Sequence, residues 1–124
     1  MPTDVLSPEM LTCRQLSHLA RAMLVRFPDD YLVTGFLLNA RITHRCLEGH
    51  LYKDRWRWHV DGVWITTAEI AELTERYGRW VIRTMDGEIY VVADFHAHGG
   101  RKSLRYLVEQ FDSAAQTGSL WCVH

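Results

Sequence analysis

A chain of 124 residues, 48% hydrophobic and 23% charged, has the make-up of one folded domain and can bury a core without disulfide or metal staples. A net charge of −1 with neutral histidines excludes the global basic field of a strong nucleic-acid binder, though not a local basic patch. The start of the chain, Met1-Pro-Thr-Asp-Val-Leu6, lacks the layout of a signal peptide, and no apolar run approaches a membrane span.

Three cysteines, Cys13, Cys46 and Cys122, are odd in number and widely spaced, a pattern of reduced thiols rather than a disulfide framework. The expected setting is soluble and cytoplasmic, with no membrane contact.

In chain order, Ser7-Pro8-Glu9 reads as a helix start, with a serine N-cap and proline at the first helical position. Cys13, Leu16, Ala20, Met23, Leu24 and Phe27 recur at helical spacing as its apolar stripe. Pro28 ends it, and Asp29 or Asp30 can cap a second helix in which Val33, Phe36, Leu37, Ala40, His44 and Leu47 share a face, with Gly49 as C-terminal cap. So short a link implies an antiparallel helical hairpin.

Two Asp-Gly pairs between β-favouring residues then predict two β-hairpins, Trp56–Thr66 around Asp61-Gly62 and Trp80–Val92 around Asp86-Gly87. Between them Thr66-Thr67-Ala68-Glu69 forms a capping box, leading a short helix through Ile70, Leu73 and Tyr77 to Gly78. A last helix is expected from about Arg101 to Gln116, buried through Leu104, Leu107, Val108, Phe111 and Ala115, and a terminal strand over 120–123. The expected fold is thus a single α+β domain over residues 1–124: an N-terminal helical hairpin, a small antiparallel sheet built from the two Asp-Gly hairpins, and two further helices packed on it.

Residues 66–85 carry a second possibility. Glu69-Ile-Ala-Glu-Leu-Thr74, a four-residue gap and Arg79-Trp-Val-Ile-Arg83 resemble the helix-turn-helix of winged-helix regulators and replication-type proteins. That resemblance implies a DNA-binding regulator with Arg76, Arg79 and Arg83 facing DNA. It departs from the pattern at Glu75, where a turn glycine is usual. The same residues carry the opposing signal, because Trp80, Val81, Ile82 and Thr84 favour strand and Asp86-Gly87 cuts the recognition helix short.

Other residues suggest chemistry. Asp94, His96 and His98 alternate along an expected strand in the D-x-H-x-H layout of metal-dependent hydrolases. Cys46 and His50 stand at i, i+4, a spacing suited to a ligand pair on a helix. Gly99-Gly100-Arg101-Lys102-Ser103 opens a helix where backbone N–H groups favour an anion. Lys53-Asp-Arg55-Trp56-Arg57-Trp58-His59 interleaves cations with tryptophans. On the expected strand Lys53, Arg55, Arg57 and His59 face one way and Trp56, Trp58 and Val60 the other. This makes either an amphipathic strand with its tryptophans in the core or a partner-binding face of the residue types that dominate hot spots and stack on single-stranded bases.

No nucleophile, base and acid stand in a recognisable pattern and no cofactor motif is present, so the leading reading is a non-enzymatic binding protein. It would act on a protein or nucleoprotein partner, in the manner of accessory or inhibitor proteins such as phage and plasmid anti-defence proteins. Arg55, Trp56, Arg57, Trp58, Arg101, Lys102 and Arg105 are the expected contact residues.

Overall fold

The computed structural model describes residues 5–28 and 32–116. The expected terminal strand over 120–123, with Cys122 and Gly118, lies outside these residues. A 3-10 turn at Pro8–Met10 precedes helix α1 (Cys13–Leu24); strands β1 (Gly35–Thr43), β2 (Cys46–Tyr52), β3 (Val63–Arg76), β4 (Arg79–Thr84) and β5 (Ile89–Val92) follow, and helix α2 (Gly100–Gln116) comes last. The domain is α+β with an antiparallel sheet, but its helices stand at the two ends of the order and the sheet dominates.

The strands run as a meander, each antiparallel to the next, and β1 then pairs in parallel with β5, Gly35 opposite Tyr90. The result is a closed barrel. The inner face of its wall is filled, and the outer face is covered in part, away from β3. One core draws Leu37, Leu51, Ile70, Ile82 and Val92 from the five strands and takes Leu104 and Leu107 from α2, so this helix plugs the interior. The alternate residues Leu38, Val81, Val91 and Ala93 form a second core beneath Leu19 and Ala22 of α1, on the outside. No described helix is long and apolar enough to cross a membrane.

The expected helical hairpin is corrected: its second helix is the hairpin β1–β2. Burial on both faces of β1 removes the alternation that marks a strand, and a bulge at Asn39 (φ 57°) shifts the register between Leu38 and Arg41. The apolar residues then fall at helix-like intervals by accident. The capped helix over 66–78 is likewise strand β3, whose register shifts between Ile70 and Glu72.

The first Asp-Gly hairpin is also corrected. Residues 53–62 form an irregular loop between β2 and β3, because Lys53 and Arg57 take positive φ (both 58°) and the Asp54 carboxylate offers the backbone an alternative to ladder pairing. Gly62 (φ 95°) ends that loop against the Leu6 carbonyl, which a Cβ would meet at 1.9 Å.

The second Asp-Gly site does join two strands. Its turn is a three-residue connection, closed by Gly87 N–H to the Thr84 carbonyl (2.9 Å) with Gly87 at φ 86°. Two-residue turns with positive φ at both positions occur instead at His44-Arg45 (54°, 64°) and Tyr77-Gly78 (54°, 76°).

In α1, Thr12 is the N-cap and forms a reciprocal capping box with Gln15, while Ser7-Pro8 begins only the 3-10 turn. The buried stripe is Leu19 and Ala22; Leu16, Met23 and Leu24 of the expected stripe face solvent.

Candidate functional site

Loop 53–62 is built around one carboxylate. Asp54 is buried, and its two oxygens accept from the amides of Trp56 (3.0 Å), Trp58 (3.0 Å) and His59 (3.1 Å) and from His59 Nδ1 (3.0 Å). Burial opposes ionisation of this carboxyl, but the hydrogen bonds from His59 and the three amides together outweigh it and hold it below the usual carboxylate range.

The backbone so fixed presents two tryptophans outward. Trp56 and Trp58 stack at 5.8 Å between ring centroids with 23° between planes, and Trp58 remains 76% exposed. The Arg55 guanidinium lies 5.0 Å from the centre of the Trp56 ring. Trp56 Nε1 donates to the Glu88 carboxylate (3.1 Å), which also accepts from Thr34 Oγ1, so the loop is tied to the barrel at the start of β5. Asp61 is occupied by the Lys53 amide and ammonium.

Arg55, Arg57 and His59 flank a shallow pocket of about 450 Å³ beside these groups. The sequence places His59 with the cations but does not mark Asp54 and Glu88 as organising residues, and it points Trp56 and Trp58 to the core, whereas both are exposed on the loop. An aspartate whose carboxylate accepts from the amide two residues on, as in Asp54-Arg-Trp56, is a readable turn signal, whereas the Glu88 contact is long-range.

A larger cleft, about 580 Å³, lies between the first turns of α1 and α2 and the β1 bulge. Arg101 and Lys102 line it together with Arg14, His18, Asn39 and His96. Arg105 is exposed on α2 and is not part of this lining. The Arg101 guanidinium packs over Phe95 at 4.7 Å, and His18 Nδ1 is buried without a hydrogen-bond partner. Arg101 and Lys102 therefore belong to a different surface from Arg55 and Arg57, and the two linings share no residue.

Asp94, His96 and His98 do not alternate on a strand, since β5 ends at Val92. Asp94 Oδ1 accepts from the Asn39 amide (2.8 Å), and His96 Nδ1 accepts from the His98 amide (3.1 Å). Among the described residues no group of three or more His, Cys, Asp or Glu is placed to hold a metal. Cys46 and His50 sit on strand β2, and His50 Nδ1 donates to the Gly62 carbonyl (2.8 Å).

The helix-turn-helix is replaced by the hairpin β3–β4. Arg76 and Arg79 face each other across its turn, Arg79 donates to the Ala93 carbonyl (3.3 Å), and Arg83 pairs with Glu72 (3.3 Å), so no recognition helix carries them. Compared with protein-family models, curated proteins and solved structures, the chain shows no significant match.

Proposed function

We propose that the chain is a small, cytoplasmic, non-enzymatic binding protein that grips a protein or nucleoprotein partner with loop 53–61, in the accessory or inhibitor manner. One observation carries this reading: an exposed Trp56–Trp58 stack stands on a loop whose backbone is already fixed by buried Asp54. Large aromatic area held rigid before contact lowers the ordering cost of binding. Tryptophan and arginine are the residue types that carry most interface energy.

The acids of the loop are engaged internally, while Arg57 and the outer face of Arg55 point to solvent. The favoured partner surface is therefore acidic with an apolar centre.

The test is recovery of native partners by tagged wild-type chain, Trp58→Ala and Arg57→Glu. Both positions are exposed, so thermal melts should coincide, and partner recovery should fall at least about tenfold, the loss of a hot-spot contact. Equal recovery by all three proteins, or no saturable capture by any, overturns the reading.

A further inference from the structure

The cleft between α1 and α2 has a charge arrangement that the fold alone leaves unexplained. Two helices begin at its rim. Thr12, Arg14 and Gln15 belong to the first turn of α1, and Gly100, Arg101 and Lys102 to the first turn of α2. Neither first turn contains an acid, yet each contains a cation. Cations at a helix N-terminus oppose the macrodipole, and here two such ends meet around one space with Arg14, Arg101 and Lys102 directed to the same lining. Asp94, the acid of that lining, has Oδ1 committed to the Asn39 amide. In a chain of net charge −1 this is a local excess of positive potential.

The backbone reinforces it. In the first turn of an α-helix the leading amides have no acceptor within the helix, which leaves Arg101 and Lys102 N–H groups facing out of the end of α2. Gly100 permits that end to press on the bulge, since a Cβ there would meet the Ala40 carbonyl oxygen at 2.5 Å. Asn39, at φ 57°, and His18, whose Nδ1 is buried without a hydrogen-bond partner, form part of the same wall. The volume of about 580 Å³ falls within the ~300–1,000 Å³ range of small-ligand sites.

We propose that this cleft binds a phosphate monoester, the dianion lying between Arg14 and the first turn of α2. Phosphate suits the site better than a carboxylate, because its oxygens can accept from guanidinium, ammonium and two backbone amides together. The cleft is separate from loop 53–61 and does not depend on the binding function assigned to it.

The experiment is an amide NMR titration of the intact chain at low salt with adenosine monophosphate, a 5′-phosphorylated trinucleotide and the same trinucleotide with a 5′-hydroxyl. Saturable shifts are expected at Arg14, Asn39, Arg101 and Lys102 for both phosphorylated probes. Arg14→Gln and Lys102→Glu, at exposed positions, should each weaken binding about tenfold or more, the effect of losing a charge-assisted hydrogen bond. Arg57→Glu should leave it unchanged.

Tighter binding of the trinucleotide identifies a strand end as the source of the phosphate; tighter binding of the monophosphate identifies a free nucleotide. Either outcome supports the site. Absence of saturable shifts up to ~10 mM probe, equal binding of the 5′-hydroxyl strand, or indifference to both cleft substitutions overturns it.

Discussion

At the scale of single residues, Asp54 has the most to hold. Asp54→Ala removes the acceptor for three amides and a histidine, and should cost about 1–3 kcal/mol while releasing the tryptophan stack. Chemical denaturation and tryptophan emission measure the two effects. Because the folded carboxyl titrates below its unfolded value, its contribution is complete above about pH 4 and fades as pH falls through the folded value. An Asp54→Asn variant should lose that acid dependence.

Tyr52 gives the opposite limb. Burial first, then Asp61 and Asp94, push its phenol up to about 12, and its hydroxyl donates to the Leu6 carbonyl. The raised value means stability present below the unfolded phenol pKa of ~10 is lost as pH rises through about 12. Tyr52→Phe should be less stable at neutral pH by about 1 kcal/mol, with a shallower decline on the alkaline side.

At the scale of elements, turn chemistry is where stability is open to change. The β1–β2 turn places His44 and Arg45 at φ 54° and 64° with no glycine. Left-handed backbone costs an ordinary residue ~1 kcal/mol, so His44→Gly should raise the denaturation midpoint by an equivalent amount. Gly78→Ala, at φ 76° in the β3–β4 turn, should lower it similarly, by about 1 kcal/mol.

The same elements show what the sequence conveys. Helix α2 and the strands either side of Asp86-Gly87 follow from local signals: a clean helical stripe, β-branched runs and a glycine able to take positive φ. Strands β1 and β3 do not, because the bulges at Asn39 and near Ala71 reset their period and both faces of β1 are buried. Helix α1 is legible as a helix but not in its facing. Leu16, Met23 and Leu24 are more apolar than the face that packs, which uses Leu19 and Ala22 beside Gln15 and His18.

Of the candidate sites, the Arg–Trp run is visible as composition, but its display depends on Asp54 and on Glu88 far along the chain. The cleft joins Arg14 to Lys102, a pairing that tertiary structure alone creates.

At the scale of the molecule, the barrel depends on α2 as a stopper. Leu107 is fully buried among strand residues of the interior core. Leu107→Ala should cost about 2–5 kcal/mol, read by thermal melts, through lost burial and the cavity left behind. Leu24→Ala, at a position 78% exposed, should change little and serves as the control.

The parallel seam between β1 and β5 has a kinetic meaning. Every other strand pairs with its neighbour in sequence, so hairpins can form as soon as their residues are free to meet. The seam joins Gly35–Leu37 to Tyr90–Val92 and waits for β5. During synthesis the outer edge of β1 thus stays open for pairing with other chains until β5 has left the ribosome. Refolding should be correspondingly limited by this long-range closure, and substitutions at the seam should slow folding more than those in the β3–β4 hairpin.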